Sequence, residues 1–197
     1  MIKLNTPTKL TILRILMIPV FIVLFFVEFE GHTLAAALVY VLACFTDFFD
    51  GYLARKNNIV TNLGKFLDPI ADKMIVACAL IAICVTTPIV QPANVYYILT
   101  AVFTMLILCR EFVISGFRTI AADKGAVIAA DMVGKFKTLF QMAALFALLP
   151  VTDYYAWNAL AGEVFYYGGF LLLGIATVLT IVSGIHYLVK NKHVLED

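Results

Sequence analysis

Six apolar segments, each about twenty residues or longer, divide this chain of 197 residues and limit the folds that it can adopt. A helix that crosses a hydrocarbon core of about 30 Å needs roughly this number of apolar residues. Hydrophobic residues make up 63% of the chain and charged residues 14%, whereas soluble domains are about 45–50% apolar and about 25% charged. We therefore predict an all-α integral membrane protein with six transmembrane helices, and we expect residues 1–197 to form one domain.

Short polar or proline-containing connections separate the predicted spans. The spans are expected at residues 10–29, 33–56, 63–86, 95–118, 131–149 and 164–189. Thr6 and Pro7 are typical of an N-cap and a first helical position. The apolar residues beside Lys3 predict a short N-terminal interfacial helix. A signal peptide is the alternative interpretation of this end, although the apolar run is longer than a usual signal segment. Residues 153–163 are expected to form a loop.

The distribution of charge predicts the topology. All fourteen Lys and Arg residues lie on the side of the two termini or in the adjacent half-spans. The opposite connections hold four acids and no basic residue: Glu28, Glu30, Asp153 and Glu163. Basic residues remain on the cytoplasmic side of membrane proteins. We therefore predict a multi-pass cell-membrane protein with both termini on the cytoplasmic side. The connection between spans two and three, and the span ends next to it, are predicted to lie on the same side.

The first half of a polar motif lies at the end of the second predicted span. Asp47, Asp50, Gly51, Ala54 and Arg55 fall at i, i+3, i+4, i+7 and i+8, which is one face of a helix. An aspartate at the centre of a bilayer costs about 2.5–3.5 kcal/mol. Acids near membrane depth therefore indicate a function.

The second half of the motif opens the third predicted span. Gly64, Asp68 and Asp72 fall at i, i+4 and i+8, again on one helical face. A single aspartate is commonly a cap or a solvated loop residue, but four acids at two consistent spacings favour a shared role. A short connection between the helices would bring the carboxylates together, and such oxygen-rich clusters suit Mg²⁺, Mn²⁺ or Ca²⁺.

The complete motif, D-x2-D-G-x2-A-R-x8-G-x3-D-x3-D, resembles the signature of the CDP-alcohol phosphotransferase family, with every fixed position matched. The resemblance implies a six-span enzyme, usually a homodimer. Such an enzyme catalyses attack of an acceptor hydroxyl on the lipid-bearing phosphorus of a CDP-linked alcohol, with release of CMP. It implies two divalent ions, Mg²⁺ or Mn²⁺, held by Asp47, Asp50, Asp68 and Asp72. Asp72 would also serve as general base on the acceptor hydroxyl. The implied CDP-diacylglycerol site consists of Asp50, Gly51, Ala54, Arg55 and Gly64.

Cations in the fourth and fifth spans suggest a second anionic group on the substrate. Arg110 and Arg118 are eight residues apart and share a helical face, whereas Lys135 and Lys137 point about 200° apart, so one of them is expected to face the pocket. Cytoplasmic anchoring is the alternative for Lys137, and structural pairing with Glu111 is the alternative for Arg110.

The sequences around these cations, at residues 110–118 and 134–141, resemble one branch of the family, as does the opening segment 5–14. In that branch the donor is CDP-diacylglycerol and the acceptor is sn-glycerol 3-phosphate. The resemblance is weakest after about residue 150. It implies that Arg110, Arg118 and Lys135 bind the acceptor phosphate.

Two kinds of function are alternatives to this prediction. A cardiolipin synthase, with a lipid acceptor, or another member of the family is the nearest alternative. A divalent-cation transporter would use the same acids, but transport sites lie near the bilayer midplane between repeats, and no repeat is apparent. The sequence contains no basic patch interleaved with aromatic residues, and nucleic-acid binding is therefore not indicated. The four cysteines lie in apolar runs and are predicted to be buried, reduced thiols.

Overall fold

The computed structural model describes residues 6–57, 62–90, 94–124 and 132–192. Within these ranges the side chains of residues 6–8, 47–57, 62–66, 68–69, 88, 94 and 123 lie outside the described part. The described ranges are built from α-helices and short connections and contain no strand. The structure therefore confirms the all-α prediction.

Seven helices are present in the described residues, and six of them overlap the segments that were predicted as spans. They are α1 Thr6–Phe26, α2 His32–Asn57, α3 Asn62–Val90, α4 Asn94–Asp123, α5 Met132–Leu148, α6 Val151–Trp157 and α7 Ala159–Lys190. Residues 1–5 lie outside the described residues, and with them lies most of the predicted interfacial helix. Four helices (α1, α3, α4 and α7) are long and apolar enough to cross a membrane, and α5 with α6 gives a fifth candidate if the pair is one broken span. The chain is an all-α membrane protein.

The expected loop at residues 153–163 was wrong, because this segment contains α6 and the start of α7. Pro150 separates α5 from α6, and its carbonyl accepts a hydrogen bond from Tyr154 N at 3.1 Å. The side chain of Asn158 then accepts a hydrogen bond from Leu160 N at 2.9 Å. Asparagine is a favourable N-cap, so α7 begins five residues before the predicted position.

The described chain divides into two compact units. The first contains Met1–Thr86 and Leu149–Glu163, and the second contains Thr87–Leu148 and Val164–Asp197. The motif of four acids belongs to the first unit, and the cations of α4 and α5 belong to the second. The expectation of one domain over residues 1–197 stays a prediction.

In the first unit, α2 packs against α1 and α6. Gly31 has a φ of 81°, a left-handed conformation that glycine adopts readily, at the turn from α1 into α2. The buried carboxylate of Asp153 on α6 accepts hydrogen bonds from Thr33 Oγ1 at 2.7 Å and Leu34 N at 2.8 Å. A carboxylate at a helix N-terminus satisfies free N–H groups and complements the helix dipole. Asp153 therefore fixes the start of the helix whose other end carries the motif.

In the second unit, α4 and α7 run in the same direction and pack along their length. Near their starts, Tyr96 and Phe170 form an edge-to-face pair with ring centroids 5.3 Å apart. Near their ends, Phe117 and Tyr187 form a second pair at 5.8 Å. Buried residues surround this second pair and form a core cluster: Ile114, Phe117, Ala121 and Tyr187. These contacts set the register that places the polar residues of α7 beside the arginines of α4.

Candidate active site

Both halves of the acidic motif lie on helices, as their spacing predicted. Asp47, Asp50, Gly51, Ala54 and Arg55 fall within α2, near its C-terminal end. Their side chains lie outside the described part of the structure, so the predicted convergence of these groups stays a prediction.

The second half of the motif lies in α3. The surroundings of Gly64 and the side chain of Asp68 lie outside the described part. Asp72 is described and is exposed. Asp72 lies within electrostatic range of Tyr40, which is buried on α2. Tyr40 precedes Asp47 by seven residues, two turns along the same face of α2. The described side chains therefore place the middle of α2 near the acidic end of α3.

The chemistry of the predicted ligands fits a divalent cation. All four are carboxylates, which are the preferred ligands of Mg²⁺ and also suit Mn²⁺. No group of three His, Cys, Asp or Glu residues that could hold a metal occurs among the described side chains, which include one of the four predicted ligands.

Arg110 on α4 is held by two side chains of the second unit. Its Nη1 contacts Glu111 Oε1 at 3.2 Å, and its Nη2 donates to Ser183 Oγ at 3.1 Å. The Arg110 side chain is 18% exposed. Structural pairing with Glu111, left open by the sequence, is therefore present, and Ser183 on α7 is a second partner that the sequence did not suggest.

The two lysines of α5 occupy different environments. Lys137 is buried and forms an ion pair with Glu111 Oε1, the same oxygen that contacts Arg110. Lys135 is exposed. The expectation that the two side chains point apart is confirmed. An anchoring role at the membrane surface does not match Lys137, because its ammonium group pairs with a carboxylate inside the unit.

Arg118 lies two turns beyond Arg110 and contacts Tyr187 in two ways. Its Nε donates to the Tyr187 hydroxyl at 3.2 Å, and its guanidinium carbon lies 5.4 Å from the centroid of the ring. Tyr187 is 3% exposed. Ser183 and Tyr187 were not predicted from the sequence. A serine and a tyrosine one helical turn apart, among apolar residues of the last span, are the signal that could have found them.

The comparisons with known proteins agree with the motif. A family model described as CDP-alcohol phosphatidyltransferase matches residues 4–182. The helices and the motif define an all-α membrane enzyme of phospholipid synthesis, and the chain belongs to the CDP-alcohol phosphatidyltransferase family. The family resemblance predicted from the sequence is confirmed. Members of this family generally depend on divalent metal ions.

Three relatives with this similarity are named CDP-diacylglycerol–glycerol-3-phosphate 3-phosphatidyltransferase. The protein of Bacillus subtilis (strain 168) is 37% identical, over 98% of this chain and 97% of its own length. The protein of Rickettsia typhi is 40% identical, over 93% of this chain and 94% of its own length. The protein of Sodalis glossinidius is 38% identical, over 97% of both chains.

Proposed function

We propose that the chain transfers the phosphatidyl group of CDP-diacylglycerol to sn-glycerol 3-phosphate, giving phosphatidylglycerophosphate and CMP. The observation that carries this proposal is the similarity, over nearly the whole chain, to relatives named for this reaction. The free primary hydroxyl of the acceptor attacks the lipid-bearing phosphorus. The bond from that phosphorus to the oxygen of CMP breaks, and the hydroxyl proton passes to a base.

The proposed metal ligands are Asp47, Asp50, Asp68 and Asp72, which would hold two ions of Mg²⁺ or Mn²⁺. When bound, such ions neutralise phosphate charge and stabilise the attacking and leaving oxygens. The helical spacing supports this set, because Asp47 and Asp50 share a face of α2, and Asp68 and Asp72 share a face of α3.

The proposed base is Asp72, and its exposure supports this role because a base must reach the acceptor hydroxyl. It would receive the proton through its carboxylate oxygen as the hydroxyl oxygen forms its bond to phosphorus. The proposed donor site consists of Asp50, Gly51, Ala54, Arg55 and Gly64. Glycine at two of these positions leaves room for the pyrophosphate to approach the backbone.

The acceptor phosphate is proposed to bind Arg110, Arg118 and Lys135. Both arginines lie on α4 with an eight-residue spacing that places them on one face, and both are tied to α7 through hydrogen bonds. Arginine suits a phosphomonoester because its planar fork donates two parallel hydrogen bonds. Lys135 is exposed, and this position leaves its ammonium group available to a soluble anion.

The proposed topology counts α2 and the α5–α6 pair as spans and so has six transmembrane helices. The apolar part of α2, His32–Thr46, is short because the motif occupies the rest of that helix. Both termini and the active site would face the cytoplasm, in agreement with the distribution of Lys and Arg. The enzyme is proposed to be a homodimer, and the acyl chains of the donor would leave sideways into the bilayer.

Release of CMP by the purified protein in detergent tests the reaction. The assay contains CDP-diacylglycerol and Mg²⁺ or Mn²⁺, with glycerol 3-phosphate, phosphatidylglycerol, serine or inositol as acceptor. We expect release only with glycerol 3-phosphate and loss of release in EDTA. Release with another acceptor would be consistent with the family but would contradict the assignment of Arg110, Arg118 and Lys135 to the acceptor phosphate. The absence of release from folded protein would contradict the proposed reaction.

A further inference from the structure

The last helix contacts both arginines assigned to the acceptor. Ser183 and Gly184 lie beside Arg110, and Tyr187 lies beside Arg118. On α7 these residues occupy positions i, i+1 and i+4, which form one face. We propose that this face is a positioning surface that orients the two arginines and so sets the affinity for glycerol 3-phosphate. This inference rests on the proposed function, because it assumes that the arginines bind the acceptor phosphate.

Ser183 holds the guanidinium of Arg110 in a fixed direction. The Ser183 hydroxyl donates to the Thr180 carbonyl at 3.2 Å, so its oxygen is free to accept the hydrogen bond from Arg110 Nη2. Ser183 is 1% exposed, and water therefore does not compete for this oxygen. A buried acceptor with its own proton already committed restricts Arg110 more than a mobile surface serine would.

Gly184 gives the stem of Arg110 its room. A Cβ atom built on Gly184 would lie 3.0 Å from Arg110 Cγ and 3.5 Å from its Nε. Cβ contacts as short as 3.0 Å are rare, so any larger residue at this position would displace the arginine. The stem is flexible, and we therefore expect the Gly184→Ala variant to fold with Arg110 shifted rather than to unfold.

Tyr187 fixes Arg118 through its hydroxyl and its ring. The ring packs edge-to-face on Phe117 at 5.8 Å and belongs to the buried core of the unit. A tyrosine held in this way presents a hydroxyl of defined position to Arg118 Nε and an aromatic face to the guanidinium. The exposed end of Arg118 is then left to bind the ligand.

The geometry of α4 makes such orientation useful. Residues eight apart in a helix are separated by about 12 Å along its axis, so Arg110 and Arg118 must lean towards each other to reach one phosphate. An unrestrained arginine loses much rotamer entropy when it is ordered. Contacts that hold the side chain in place before the ligand binds reduce this loss and strengthen binding.

The test uses three variants of the full-length protein in detergent: Ser183→Ala, Gly184→Ala and Tyr187→Phe. We expect each to raise the KM for glycerol 3-phosphate by about 3- to 10-fold, with kcat and the KM for CDP-diacylglycerol nearly unchanged. There are two matched controls. Gly168→Ala on α7 adds a Cβ that would have no atom of the described residues within 4 Å. Tyr97→Phe on α4 changes a tyrosine that is 46% exposed. Both controls should retain the wild-type KM.

A double-mutant cycle separates positioning from a general effect on packing. In an Arg118→Ala background, Tyr187→Phe should raise the KM no further, because the group that it orients is gone. An undiminished second increase, or no change of KM in any of the three variants, would overturn the proposed positioning surface. If Arg118→Ala itself leaves the KM for glycerol 3-phosphate unchanged, the acceptor site in the proposed function is wrong. If Gly184→Ala does not fold, Tyr187→Phe decides, since it removes one oxygen and keeps the ring.

Discussion

Glu111 joins two cations of the second unit, and removing its charge tests how strongly that cluster stabilises the fold. Its Oε1 contacts Nη1 of Arg110 at 3.2 Å and also the ammonium group of Lys137. The substitution Glu111→Gln keeps the shape of the side chain and removes its negative charge. Lys137 is then left with a neutral amide as its partner at this position, while its side chain is only 6% exposed.

The magnitude follows from burial. Removing one partner of a buried ion pair costs about 3–5 kcal/mol. The Glu111 side chain is 23% exposed, and the glutamine oxygen still accepts a hydrogen bond, so we expect a smaller loss of about 1–3 kcal/mol. For a chain of this length each kcal/mol changes the Tm by about 2–4 °C. The expected decrease in Tm is therefore about 2–12 °C.

Thermal unfolding in detergent measures this decrease. Glu163→Gln is the matched control, because Glu163 is exposed and the same chemical change there should leave the Tm within about a degree of wild type. Adding Lys137→Met to Glu111→Gln removes the buried charge and should restore much of the lost stability. If Glu111→Gln unfolds at the same temperature as Glu163→Gln, the ion pair does not stabilise the unit and the reasoning is refuted.

Three further substitutions test other parts of the molecule. Asp72→Asn should abolish turnover and leave binding of CDP-diacylglycerol largely intact; full activity would remove Asp72 from the role of base. Arg118→Ala should raise the KM for glycerol 3-phosphate by about 10-fold or more, with a smaller effect on kcat, because a charged hydrogen bond is worth about 1.5–3 kcal/mol. Asp153→Ala should lower the Tm by several degrees without changing the KM for either substrate, since it removes the acceptor of Thr33 and Leu34 at the start of α2 at a cost of about 1–3 kcal/mol; an unchanged Tm would show that this cap contributes nothing.

The helices could be predicted because membrane thickness sets their length. The predicted start of span three, residue 63, lies within one residue of the start of α3 at Asn62, and the predicted end of span two, residue 56, lies next to the end of α2 at Asn57. The same physical constraint does not apply outside the core. Pro150 and Asn158 determine locally where α5 ends and α7 begins. The aromatic residues between them were interpreted as an interfacial loop, so the short helix α6 was not predicted.

The acidic motif could also be found from the sequence, because helical spacing alone places its members on one face of each helix. The contacts of the cations could not be found in this way. Glu111 and Lys137 are 26 residues apart, and Arg110 and Ser183 are 73 apart, so only the packing of separate helices brings them together. Spacing within α5 could show that Lys135 and Lys137 diverge, but not that Lys137 is the buried one and pairs with a carboxylate on α4.

The contact between Arg110 and Glu111 does not exclude Arg110 from binding a phosphate. A guanidinium has five N–H donors, and the contacts with Glu111 and Ser183 each use one of them. Nε is buried and makes no hydrogen bond to the described residues, and each terminal nitrogen retains a second N–H. Two cations around one carboxylate also leave the cluster with a net positive charge. Glu111 can therefore orient Arg110 and stabilise the buried lysine without preventing Arg110 from binding the acceptor phosphate as proposed, so the structural and ligand-binding interpretations of Arg110 are compatible.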